Sequence, residues 1–166
     1  MILGMSISTF TTLHVVISLS GIFSGAIALS GMLGSGISGG WTALFLLTTI
    51  LTSATGFLFP PFVFDPPRIV GVISLIALAI ALLALYGERL TGAWRWIYVI
   101  CAVLALYLNV FVAITQAFQK LPFLQPLAPT QSEPPFFVVQ VLALVIFVAL
   151  GIVAAKRFHP DVSVAT

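Results

Sequence analysis

His14 and a small set of hydroxyls and amides are the side chains in the apolar stretches of this sequence best equipped for chemistry. Ser18 follows His14 by four residues, and at 100° per residue both fall on one helical stripe with Gly21, Gly25 and Ala28. An imidazole in that position can hold a cross-helix hydrogen bond, relay a proton or ligate a metal. Thr48, Thr52 and Thr55 form a second stripe, flanked by Thr49, Ser53 and Gly56. Threonine hydroxyls can bond back to the carbonyl four residues earlier, so this run is either structurally silent or one polar wall of a pathway. Asn109 and Gln116 share a narrow face with Tyr98, Ala102, Ala105 and Ala113, and Gln140 lies on a later face with Ala143, Phe147, Gly151 and Ala154. An amide carries both donors and an acceptor and is not easily satisfied by its own helix, so these two faces need partners.

These groups lie toward one end of the helices that would carry them. His14, Thr52, Asn109, Gln116 and Gln140 could line a polar pocket in that half, and the alternative is ordinary hydrogen bonding between helices with no pocket. Gly21 and Gly25 make a GxxxG pattern, which lets helix backbones approach closely, either within the chain or against a partner or second copy.

The elements that position these residues follow from composition. Of 166 residues, 61% are hydrophobic and only 6% charged, far below the quarter usual in soluble domains, so the bilayer is the medium the chain fits. A membrane helix needs about 20 mostly apolar residues. Runs at about 9–32, 42–60, 69–86, 96–118 and 136–155 meet this, which predicts an all-α bundle of five transmembrane helices. The whole of 1–166 is then one transmembrane domain with no soluble domain. Gly34, Gly36, Gly39 and Gly40 separate the first two runs, and Pro60-Pro61 ends the second. Pro66-Pro67 and Pro134-Pro135 precede the third and fifth, where a missing N–H costs a helix nothing. The third run is almost purely apolar and reads as the lipid-facing or scaffolding member. The loop from Gln119 to Pro135 holds five prolines and reads as an ordered, extended cap, with Glu133 either starting the fifth helix or pairing with Arg68 as part of a lid.

Met1 to Phe10 contains no Lys or Arg, unlike the start of a cleavable signal, so the first run is expected to be retained. Five spans put the termini on opposite sides. Arg89, Arg95, Lys156 and Arg157 fall on one side, Arg68 and Lys120 on the other, which favours a cytoplasmic C-terminus and an outside N-terminus. Trp41, Tyr86, Trp94, Trp96 and Tyr98 would form an aromatic belt on the cytoplasmic side.

Several chemistries lack their residues. No run contains Asp, Glu, Lys or Arg, so ion coupling and voltage sensing have no obvious carrier. Cys101 is the single cysteine and His14 the one histidine within a run, too few for a metal cluster. The glycine-rich turn lacks the lysine of a phosphate loop, His14 and Ser18 have no third orienting group, and six cations form no cluster for nucleic acid.

Thr52-Ser53-Ala54-Thr55-Gly56-Phe57-Leu58-Phe59-Pro60 and Thr130-Gln131-Ser132-Glu133-Pro134-Pro135-Phe136 resemble segments of an uncharacterised family of small multi-spanning bacterial inner-membrane proteins. The resemblance implies a multi-pass protein of the inner membrane and carries no activity. An early histidine also resembles that of small membrane cytochromes, but their paired axial histidines are missing here.

Three function classes remain: a non-enzymatic component packing in a membrane assembly, which the composition favours, a redox protein holding haem or a quinone through His14, and a permeation pathway for a small neutral solute. No catalytic or metal-binding residue is assigned. For the topology, reporters fused after Lys120 and at Thr166 should report opposite sides, with the one at Thr166 in the cytoplasm, and a Thr166 reporter active only outside would reverse the orientation.

Overall fold

A computed structural model describes residues 1–60 and 65–160 and folds them as an all-α bundle. The helices are α1 (Ile7–Leu33), α2 (Gly39–Gly56), α3 (Pro66–Leu82), α4 (Trp94–Lys120) and α5 (Pro134–Arg157). Their starts follow ordinary capping chemistry. The Ser6 hydroxyl accepts from the Thr9 N–H at 3.1 Å, and the Asp65 carboxylate accepts from the Arg68 N–H at 3.3 Å. Pro66-Pro67 and Pro134-Pro135 occupy the first turns of α3 and α5. α3 runs on into a π-helical turn, Leu83–Gly87, closed where the Glu88 N–H donates to the Leu83 carbonyl at 2.9 Å. α2 stops at Gly56, before the expected proline pair, of which Pro61 lies outside the described residues.

Consecutive helices run antiparallel. At one end, called here the amino end, the Phe10 and His14 rings lie 5.1 and 5.2 Å from the ring of Phe59, just beyond α2. At the opposite, carboxy end, the His159 N–H donates to the Ser35 hydroxyl at 3.3 Å, joining the segment after α5 to the turn after α1. Ser35 takes a left-handed backbone, φ 69°, where glycine is usually found.

Four helical segments are long and apolar enough to cross a membrane: Ile7–Leu33, Pro66–Gly87, Trp94–Lys120 and Pro134–Arg157. α2 is not among them, because six hydroxyl-bearing residues within its 18 positions dilute its hydropathy. Four long apolar helices suit a multi-pass membrane protein.

The apolar core sits toward the carboxy end. Ala28, Phe45, Leu78, Val99, Leu106 and Phe158 belong to one buried cluster. Tyr98 is fully buried in it, its ring 5.8 Å from that of Phe158, so it does not join the expected belt, whereas Trp41, Tyr86 and Trp96 are exposed. α5, rather than α3, is the least embedded helix: 6% of its apolar window is buried, against 33% for α3. An apolar sequence fixes how readily a helix accepts lipid, not how many neighbours the loops bring to it. The long loop also departs from a uniformly extended cap, since Gln125–Leu127 forms a 3-10 turn that tolerates Pro126 in its first positions.

Gly21 and Gly25 are buried where α1 meets α2 and α4. A Cβ on Gly25 would lie 2.6 Å from Leu106 Cδ1 and 2.8 Å from the Phe45 ring, closer than carbon atoms approach. Around a Cβ on Gly40, by contrast, nothing lies within 4 Å. Gly25→Leu should therefore destabilise the detergent-solubilised protein by roughly 1–3 kcal/mol through overpacking, while Gly40→Ala leaves the unfolding midpoint unchanged or higher. Equal midpoints for Gly25→Leu and the native protein would remove the close contact.

Candidate functional site

Four pairs of polar side chains each join two different helices. His14 Nδ1 lies 2.8 Å from Thr55 Oγ1, tying α1 to α2. The Thr55 hydroxyl has one hydrogen, which it can give to the Leu51 carbonyl at 2.7 Å. It then accepts from His14 Nδ1–H, and in a neutral imidazole so oriented the Nε2 lone pair is left available.

Four residues further into the bundle along the same face of α1, Ser18 Oγ donates to Asn109 Oδ1 at 2.8 Å, and Asn109 Nδ2 returns a long bond to the Ser18 carbonyl at 3.5 Å. Both ends of one amide are thus engaged by one serine, tying α1 to α4. Ser53 Oγ donates to Ser74 Oγ at 3.2 Å between α2 and α3. Gln140 Nε2 donates to Thr115 Oγ1 and to the Phe111 carbonyl, both at 3.2 Å, tying α5 to α4. These four ties link all five helices in the sequence α3, α2, α1, α4, α5, and α3 also packs directly on α4 to close the bundle.

Gly21 makes the middle of this arrangement possible. The place where its Cβ would stand is 3.1 Å from both Asn109 Nδ2 and Thr49 Oγ1 and 3.2 Å from Thr48 Oγ1. A side chain there would push the hydroxyls and the amide apart. Thr49 Oγ1 is itself buried without a hydrogen-bond partner, and so is Gln140 Oε1.

The five residues expected to share a pocket are therefore divided. His14 and Asn109 lie along one seam between α1, α2 and α4. Thr52 is beside that seam but bonds back to the Thr48 carbonyl at 2.8 Å, the silent arrangement open to any threonine in a helix. Gln140 belongs to the separate contact between α4 and α5, and Gln116 is half-buried on α4 and takes part in neither set. Thr55, Ser18 and Thr115 are the partners of His14, Asn109 and Gln140 that sequence reasoning left out of the site, and the Ser53–Ser74 pair was left out altogether. The 100° arithmetic already placed Ser18 on the stripe of His14, but nothing in the sequence pairs it with Asn109.

Glu133 is held by its own loop. Its carboxylate accepts from the Thr130 N–H at 3.1 Å, the Thr130 hydroxyl at 2.8 Å and the Ser132 N–H at 3.1 Å. Desolvation pushes its pKa up, and these bonds outweigh that effect and hold the carboxyl below its ordinary value. Arg68 instead pairs with Asp65 at 3.0 Å and also donates to the Phe59 carbonyl. Glu133 thus stands just before α5 with its carboxylate ordering the preceding loop and not capping the helix, and its expected pairing with Arg68 is replaced by these local contacts.

Chemically, the seam offers one imidazole lone pair, one engaged amide and one unspent buried hydroxyl. A haem or quinone would have to bind through His14 Nε2, and among the described residues no three His, Cys, Asp or Glu side chains group to hold a metal. Comparison with protein-family models, with curated proteins and with solved structures gives no match.

The Ser18–Asn109 contact is open to a double-mutant cycle. Ser18→Ala and Asn109→Leu should be non-additive in unfolding free energy by about 0.6 kcal/mol, the average for such bonds between membrane helices. Strict additivity would mean that the two side chains do not interact.

Proposed function

We propose that this chain is a five-span, non-enzymatic membrane component that assembles with another membrane protein, or with a second copy of itself, through the outward face of α5. The observation that carries the reading is the exposure of that helix. Its apolar window is 6% buried, whereas those of α1 and α4 are 33% and 44% buried. Val138, Leu142, Val145 and Ala149 are all exposed and recur at steps of four, three and four, the spacing by which a second helix packs in a left-handed pair. Gly21 and Gly25 serve this purpose less well, because α2 and α4 of the same chain already fill the space against them. The polar groups support the same reading, since eight of them tie neighbouring helices together.

In this reading α2 is the fifth span. Its 18 residues extend about 27 Å, close to the ~30 Å hydrocarbon thickness. Thr42, Thr48 and Thr49 are buried against neighbouring helices, so lipid does not have to solvate them and a low hydropathy is tolerable. The cations at the carboxy end, Arg89, Arg95, Lys156 and Arg157, outnumber Arg68 and Lys120 at the amino end and favour an inner-membrane protein with its C-terminus in the cytoplasm.

One observation favours a second reading, a pathway for a small neutral solute along α2. Thr49 buries a hydroxyl without a hydrogen-bond partner, beside the open backbone of Gly21. Solute flux into liposomes that Thr49→Val abolishes would favour it over the assembly reading. For assembly, a photo-crosslinking residue at Leu142 in native membranes should give one adduct of defined mass, and one at Ile76 on the exposed side of α3 should not. No protein adduct from any exposed α5 position, together with a monomeric mass in solution, would overturn it.

A further inference from the structure

On the flank of α5 that faces α4 there is a cleft of about 410 Å³. Trp96, Ile100 and Leu104 of α4 form one wall, and Val148, Ile152 and Lys156 of α5 the other. These walls face outward: Ile100, Val148 and Ile152 are each more than half exposed. The floor is formed where Gly151 meets Val103, an approach so close that a Cβ on the glycine would lie 3.3 Å from Val103 Cγ1. The deep end is closed by the rings of Tyr107 and Phe147, whose centroids are 5.8 Å apart.

The length and polarity of the cleft are asymmetric in an informative way. From Trp96 to Tyr107 it extends about 16 Å along α4, which is half of a ~30 Å hydrocarbon core. One leaflet of a bilayer has that depth. Its walls are hydrocarbon almost throughout, and its single charged group, Lys156, is at the carboxy-end mouth beside Trp96. Lys156 is exposed and forms no ion pair among the described residues, and Arg157 is exposed beside it. A hydrocarbon slot one leaflet deep with a cation at its mouth is complementary to a phospholipid, with the chain along the slot and the phosphate at the ammonium. A second copy of the chain suits it less, because a two-fold contact on this flank brings Lys156 and Arg157 against their own equivalents.

We infer that the cleft between α4 and α5 is a binding site for one acyl chain of an anionic phospholipid, whose headgroup phosphate is held by Lys156 at the carboxy-end interface. The site is independent of the assembly face, since Val138, Leu142 and Val145 do not line it. It requires only that α4 and α5 cross the bilayer.

Trp96 supplies the probe. The full chain carrying Trp41→Phe and Trp94→Phe keeps one indole, at the mouth of the cleft, and is reconstituted in phosphatidylcholine vesicles. Phosphatidylglycerol with brominated chains should quench this indole with about a fivefold preference over brominated phosphatidylcholine, the effect of one basic residue near an anionic surface. Lys156→Gln should bring the preference close to one, and Gly151→Leu, which fills the floor, should weaken quenching by both lipids. Inorganic phosphate should not compete, which separates a lipid site from a free-anion site. Equal quenching by the two brominated lipids in the unsubstituted-cleft protein overturns the inference, and that result does not depend on whether either variant folds. Protection of the indole by a concentration-dependent dimer would overturn it as well, in favour of a second copy.

Discussion

A hydroxyl or amide that leaves water for hydrocarbon must find its partner inside the protein, and this requirement organises the bundle. Helices in lipid gain little from apolar contact with one another, since the lipid tails are equally apolar. What distinguishes the observed arrangement is the set of directional contacts His14–Thr55, Ser18–Asn109, Ser53–Ser74 and Gln140–Thr115. Each joins a different pair of neighbours, while the packing of α3 on α4 and of α1 on α5 carries no such tie among the described residues. The two ties that α1 makes, to Thr55 and to Asn109, also depend on Gly21 and Gly25, because a side chain at either position would hold α1 away from α2 and α4 and lengthen those bonds.

The bundle is divided along its axis as a result. Toward the carboxy end, Phe45, Leu78, Val99 and Phe158 fill a conventional apolar core, and the fully buried Tyr98 ring packs on Phe158. The helix-to-helix hydrogen bonds named above lie nearer the amino end. The two halves therefore use different means of specification: shape in one, donor and acceptor matching in the other. Gly25, against Phe45 and Leu106, marks the boundary, and Gly21, against Asn109 and Thr49, lies on the polar side of it.

Much of this was legible in the sequence because helical periodicity is a strong signal. It placed His14, Ser18, Gly21 and Gly25 on one stripe, and the proline pairs marked the starts of α3 and α5. Partner choice was not legible. Nothing in the order of residues indicates that Asn109 meets Ser18 while Gln116, seven positions further along the same face, meets nothing comparable, because the outcome depends on where α1 crosses α4. The aromatic belt failed at Tyr98 for a similar reason: a residue type enriched at interfaces is also a good core residue once another ring, here Phe158, covers it. α2 shows the converse effect. Its threonines lower the hydropathy by which a span is recognised, although burial of Thr42, Thr48 and Thr49 removes them from contact with lipid.

The exposure of α5 follows from the same economy of contacts. α5 is fastened to α4 near the amino end by Gln140, and near the carboxy end by the buried Ala154, Ala155 and Phe158. Between these points Gly151 allows a close approach to Val103, so the two backbones converge while the larger side chains on either side splay apart. A cleft open at the surface of the bundle is the geometric consequence of packing two helices through one glycine. Its walls are apolar because the span is apolar, but the position of Lys156 at its mouth has a separate cause: α5 ends there, and cations near a helix C-terminus are favoured by the dipole. A charge placed by helix termination and a slot placed by helix packing thus meet at one point, and that coincidence gives this flank of the bundle a recognition chemistry that neither feature supplies alone.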